Sequence, residues 1–369
     1  MVHRRPFFLG AGLALGAQLL TGCGVAARRL DRAPNDAPAG STAARSADAD
    51  ATLDGYFTDA SRQRDIPWRL RLPAGDGPVA WVIFSHGLGG GLAAGTLWAQ
   101  AWAQAGIATL HLQHQGSDTD VWRGGEAMLR QAASGQQLVQ CALDVRAAMD
   151  QVQRLAAAAG GTGGAAAGAT NDAGRTAWHR LRIDALGLAG HSFGAHTTMA
   201  VAGQRYFSPA GAATGVSLAD PRPRAFAAFS PSPTAGSTPA LSFGAIARPM
   251  LCLTGSVDTD PLAQADAERA RRGDYRRAVF DGLPAGDKAE LWLDGADHMT
   301  FGGQQVDVLP ARLARRPTSA REQAQRHNGL IMAASTLWWR AQLLGDMAAR
   351  QALAAGPAGL MAADAWRRG

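Results

Sequence analysis

Between residues 68 and 293, short runs of strand-type residues alternate with longer stretches of helical character, and this alternation restricts the fold more than any other feature. Trp68 to Leu72 alternates apolar and polar residues, as a half-buried strand does. Val79 to Ser85 is a continuous apolar run, which fits a strand covered on both faces. Ile107 to Leu112, Arg182 to Leu188, Arg224 to Phe229, Met250 to Thr254 and Ala289 to Leu293 read as further strands. Helical patterns fill the gaps: one up to Ala105, a long one from Gln136 to Ala159, one after Ser192, one from Asp260 to Val279 and a last one from Arg321 to Ala349. Such an order predicts an α/β domain with a mostly parallel central sheet of about eight strands and helices on both faces. With 369 residues, 47% of them hydrophobic, the chain has the material for one large core.

The ends have a different texture. His3-Arg4-Arg5 is a positive start, Phe7 to Leu20 is an apolar stretch too short to cross a bilayer as a helix, and Leu20-Thr21-Gly22-Cys23 follows. That order resembles the lipobox of bacterial lipoproteins. The resemblance implies cleavage before Cys23, a diacylglycerol on its sulfur, and residence in the cell envelope at the inner or outer membrane. Arg4-Arg5-Pro6-Phe7-Phe8-Leu9 also resembles a twin-arginine signal, so the general secretory and twin-arginine routes both stay open. Cleavage would remove Arg4 and Arg5 and no acid, so a formal net charge of +6 would become +4. Residues 23–52 are rich in Ala, Pro, Asp and Ser without apolar periodicity and read as a flexible tether. The folded domain is expected over 53–350, with Gly160–Gly174 as a surface insert and 351–369 as a tail that frays. Cys141 and Cys252 read as buried single thiols, with pairing left open.

Gly190-His191-Ser192-Phe193-Gly194 stands where the strand ending near Leu188 gives way to a helix. A serine between glycines at such a turn fits a nucleophile elbow: the tight turn exposes the hydroxyl, and the helix start aims free N–H groups at the same point. A serine nucleophile needs a base and an acid to orient that base. His298, in the loop after strand Ala289–Leu293, is the base the order of elements selects. Asp258, in the exit of strand Met250–Thr254, is the acid, with Asp260 as runner-up because it precedes Pro261 and suits a helix cap instead. His111, His114, His179 and His327 show no acid in a suitable frame, His86 is expected to tie down its own loop, and His196 to pack beneath the elbow. Donors for a tetrahedral oxyanion are expected from the backbone N–H of Phe193 and of Leu88, in His86-Gly87-Leu88.

Phe84 to Gly90, Gly116-Ser117-Asp118, the Ser192 pentapeptide and the Asp258 and His298 loops together resemble α/β-hydrolases over roughly Leu70 to Phe301. The branch they resemble is the platelet-activating-factor acetylhydrolase and predicted dienelactone hydrolase group, itself similar to cutinase-like enzymes. The resemblance implies a serine carboxylic-ester hydrolase, esterase- or lipase-like, and assigns one oxyanion amide to Leu88. True dienelactone hydrolases use a Cys where this chain has Ser192. Gly160–Gly174 and Ser230–Ala245 match that group poorly and are expected to be lid-like. A peptidase of the same fold and a non-catalytic lipoprotein that binds an envelope lipid or polymer are the alternatives. The basic side is Arg apart from Lys288 and is scattered, without the basic stripe of a nucleic-acid binder. There is no dinucleotide fingerprint, P-loop or Cys/His ligand cluster, so neither a cofactor nor a metal is expected. The expected partners are a small-molecule or lipid ester and, through Cys23, the membrane.

Overall fold

The computed structural model of the chain describes residues 51–158, 172–208, 210–234, 236–260, 269, 271–304 and 316–369. The segment expected to be an export signal, Cys23, nearly all of the expected tether and residues 160–171 of the expected insert lie outside the described residues. Nine strands form one mixed sheet: β1 (Ala51–Asp59), β2 (Arg64–Leu72), β3 (Val79–Ser85), β4 (Ile107–Leu112), β5 (Leu181–His191), β6 (Ala225–Phe229), β7 (Met250–Val257), β8 (Lys288–Asp297) and β9 (Ala365–Arg368). Their order is β1-β2-β4-β3-β5-β6-β7-β8-β9. The six strands from β4 to β8 run parallel, and the pairs β1–β2, β2–β4 and β8–β9 are antiparallel.

The described helices are α1 (Thr96–Gln104), α2 (Gly125–Ala132), α3 (Gly135–Ala158), α4 (Asp172–His179), α5 (Phe193–Ala202), α6 (Pro239–Phe243), α7 (Ala278–Gly282), α8 (Thr318–Glu322), α9 (Ala324–Leu343) and α10 (Met347–Ala355). None of them is long and apolar enough to cross a membrane. They cover both faces of the sheet. Alternate residues of β3 show how: Trp81 and Ile83 join the core under α3, α4 and α5, while Ala80, Val82 and Phe84 join the core under α1, α9 and α10. Gly187 in β5 makes room for a large neighbour, since a Cβ there would lie 2.6 Å from the Trp339 ring of α9.

Four features depart from the sequence reading. β1 begins at Ala51, inside the expected tether; only Phe57 of it is buried, so the strand carries almost no apolar signal. The last helix is two helices, α9 and α10, separated at Gly345 (φ +66°) and restarted by Asp346, whose carboxylate caps the Ala349 N–H. The tail does not fray. β9 closes the sheet against β8, Trp366 Nε1 donates to Leu353 O at 2.9 Å, and Arg367 Nε reaches the buried Glu290 at 2.7 Å. The helix expected from Asp260 to Val279 is also not continuous: Asp274–Arg277 is a 3-10 turn that leads into α7, and residues 261–268 lie outside the described residues.

Candidate active site

The C-terminal ends of the parallel strands carry the candidate residues. β5 runs into α5 through Ser192, held at φ 56° and ψ −114°. A non-glycine residue rarely adopts such a backbone, at a cost of about 1–3 kcal/mol, and active-site turns are where the cost is tolerated. The glycines around it are explained by close backbone approaches. A Cβ on Gly190 would lie 2.2 Å from Gly194 O, and one on Gly194 would lie 2.0 Å from Ser85 O. The turn is therefore pressed against the end of β3, and the Ser192 N–H is anchored on Phe229 O of β6 at 2.9 Å.

The structure brings the three predicted side chains together. Ser192 Oγ is 2.9 Å from His298 Nε2, and His298 Nδ1 is 2.8 Å from Asp258 Oδ1. A carboxylate only accepts, so Nδ1 carries the proton and Nε2 is free to accept from the serine hydroxyl. His298 opens a 3-10 turn, His298–Gly302, whose start is fixed by a reciprocal cap: Asp297 accepts from the Thr300 N–H, and Thr300 Oγ1 accepts from the Asp297 N–H. Arg316 Nη2 binds the same Asp297 carboxylate at 2.8 Å. Asp258 is the acid in contact with the base; the Asp260 N–H donates to Arg269 O.

Asp258 is fully buried. Burial alone would raise its pKa, but the Arg276 charge and hydrogen bonds from His298 and Ser230 outweigh it and hold the carboxyl below the usual carboxylate range. Oδ1 lies 2.8 Å from Ser230 Oγ and 2.9 Å from Arg276 Nε, and Oδ2 accepts from Thr254 Oγ1 at 2.8 Å. Arg276, only 2% exposed, also donates to the carbonyls of Asp258 (2.8 Å), Thr259 (2.9 Å) and Ser230 (3.1 Å). It ties the acid's loop to the residues after β6. Sequence reasoning missed Arg276, Ser230 and Thr254. Ser230 holds the one available signal, a polar residue ending a strand, within the segment expected to be lid-like; the structure puts it against Asp258.

The segment after β3 abuts the elbow: a Cβ on Gly87 would lie 3.1 Å from His191 Nδ1 and 3.2 Å from Ser192 Cβ. Among the described residues, the N–H groups of Leu88 and Phe193 have no protein acceptor. Both are thus available to an incoming oxygen. The α-carbon of Gly89 is covered by Trp122, whose Nε1 donates to Gly89 O at 2.9 Å and whose ring would meet a Cβ at 2.2 Å.

The other histidines sort by burial and partners. His191 donates from Nε2 to His298 O at 2.9 Å; burial, then the nearby His298, push its pKa down to about 3. His86 ties down its own loop through Nδ1 and Gly87 O at 2.7 Å, as expected. His196 is half-buried beside Phe193. His114 departs from the sequence reading: it does have an acid, with Nδ1 3.1 Å from Asp144 Oδ2. Thirty residues separate that pair, on elements that only the fold brings together. Cys141 and Cys252 are buried free thiols. No group of three or more His, Cys, Asp or Glu among the described residues is placed to hold a metal ion. Comparison with known proteins brings no relative to this site: no family model and no curated protein matches the chain.

Proposed function

We propose that the protein is a serine-dependent hydrolase of the α/β-hydrolase fold that cleaves carboxylic esters, held at the cell envelope by a lipid on Cys23. The observation that carries this reading is the continuous chain Ser192 Oγ–His298 Nε2 and His298 Nδ1–Asp258 Oδ1, at 2.9 and 2.8 Å, beside two unengaged amides. Ser192 Oγ attacks the ester carbonyl while His298 Nε2 takes its proton. The carbonyl oxygen, now an oxyanion, is received by the Leu88 and Phe193 N–H groups. His298 returns the proton to the departing alcohol, and an acyl-enzyme remains on Ser192. Water, deprotonated by the same imidazole, attacks the acyl carbon and restores the serine. Asp258 holds the ring in the required tautomer and balances the imidazolium charge. Arg276 and Thr254 keep that carboxylate ionised and fixed. The test is hydrolysis of 4-nitrophenyl esters from acetate to palmitate by the wild type and by Ser192→Ala. Turnover by the wild type that vanishes in a folded Ser192→Ala supports the reading. Binding without turnover by the wild type contradicts it.

A further inference from the structure

Beneath the oxyanion segment lies a second array of Ser, His and Asp. Ser85 Oγ is 2.9 Å from His114 Nε2, and His114 Nδ1 is 3.1 Å from Asp144 Oδ2. Ser85, His114 and Asp144 are 0%, 1% and 0% exposed, so no ester reaches Ser85 and it is not a nucleophile. The acid end is held by two arginines: Arg62 Nη1 and Arg64 Nε each lie 2.8 Å from Asp144 Oδ1, and Arg64 Nη2 lies 2.9 Å from Oδ2. Buried ion pairs of this kind roughly break even against apolar packing, so stability alone does not account for the array.

What the array touches is more informative. Ser85 ends β3, and the segment bearing the Leu88 amide starts at the next residue. The His114 N–H donates to His86 Nε2 at 2.9 Å, which leaves His86 Nδ1–H to donate to Gly87 O at 2.7 Å. On the far side of Leu88, the Gly89 N–H donates to Ser117 O at 2.7 Å, and Ser117 Oγ in turn donates to His114 O. Residues 114–117 thus pin the segment on both sides of Leu88, and the His114 side chain locks them to β3 and α3. We infer that Ser85, His114 and Asp144 are positioning residues for the oxyanion amide of Leu88. This inference rests on the serine-hydrolase reading above.

The test compares the full chain with Ser85→Ala, which removes one buried hydroxyl, and His114→Leu, which breaks the array. Three quantities are read: hydrolysis of 4-nitrophenyl butyrate, the inhibition constant of butylboronic acid, which forms a tetrahedral adduct on an active serine, and the melting temperature. A displaced oxyanion donor weakens transition-state binding and spares ground-state binding. Losing one donor outright costs about 10²–10³-fold in kcat, so a misplaced one is expected to cost about tenfold in Ser85→Ala and about 100-fold in His114→Leu. KM should stay within about twofold, and the boronic acid constant should rise by the same factor as kcat falls. A Ser85→Ala protein that melts lower but keeps wild-type kcat and boronic acid affinity overturns the inference, leaving a plain core network. Should His114→Leu fail to fold, Ser85→Ala decides alone. A wild type that neither hydrolyses the ester nor binds the boronic acid overturns the serine-hydrolase reading itself, and the inference with it.

Discussion

Gly194 is the position where one methyl group should disturb the site most. A Cβ there would stand 2.0 Å from Ser85 O, 2.6 Å from its carbonyl carbon and 2.7 Å from His86 O. All three are backbone atoms and cannot rotate away. Real Cβ contacts essentially never fall under 3.0 Å, so the elbow and the end of β3 must separate by about 1 Å. Alanine gains at most ~1 kcal/mol over glycine in a helix, whereas overpacking costs ~1–3 kcal/mol, so the clash wins. A net destabilisation of about 1–2 kcal/mol should lower Tm by about 1–3 °C in a chain of 369 residues. The functional effect is larger. The Phe193 amide moves with the elbow and the Leu88 amide stays with β3, so the two no longer converge on one oxygen. A misplacement of ~1 Å costs about 10²-fold, and so does loss of one oxyanion donor. Gly194→Ala should therefore lower kcat for a nitrophenyl ester about 100-fold in a protein that still melts cooperatively. A variant within threefold of wild-type kcat and with unchanged Tm would refute the close-approach reasoning.

Asp258→Asn should reduce kcat by about 10⁴-fold through loss of the correct imidazole tautomer, while Asp260→Asn keeps most of its turnover; the reverse order of the two variants would move the acid to Asp260. Arg276→Met leaves the fully buried Asp258 without its cation, and guanidinium melts should show about 3–5 kcal/mol of lost stability; a loss under about 1 kcal/mol would mean that the ion pair is not what holds this loop. Burial holds His86, His111 and His191 neutral, with pKa values pushed down to about 3 from an unfolded value of 6.5. As pH falls below about 6.5 the unfolded chain therefore binds protons that the native chain does not, and stability should drop by about 1.4 kcal/mol per pH unit for each histidine until pH nears about 3. Denaturant melts at pH 7 and pH 5 check this, and equal midpoints would contradict it.

The central parallel strands were legible because burial on both faces writes a continuous apolar run, as in Val79–Ser85. The edges were not. β1 buries only Phe57, and β9 is Ala-Trp-Arg-Arg, held by pairing to β8 and by Arg367 on Glu290 rather than by apolar side chains of its own. Ser192 and His298 could be read because each follows a strand at a loop, and the elbow's glycines mark the turn. Arg276 could not: it lies 18 residues beyond Asp258, in a stretch whose composition suggests a helix, and only the return of the chain brings its guanidinium to the acid. The Ser85–His114–Asp144 array was hidden for the same reason, since its members sit on β3, on the loop after β4 and on α3.

The claim that Ser192 is the nucleophile is tested most directly by mass spectrometry of the intact chain after reaction with a fluorophosphonate. The serine oxygen displaces fluoride from the reagent's phosphorus, and does so readily only where a neighbouring base accepts the hydroxyl proton. A single adduct is expected, on the peptide that contains Ser192. It should be absent in Ser192→Ala and form far more slowly in His298→Ala. No adduct on the folded wild type, or an adduct that persists in Ser192→Ala, would contradict the assignment.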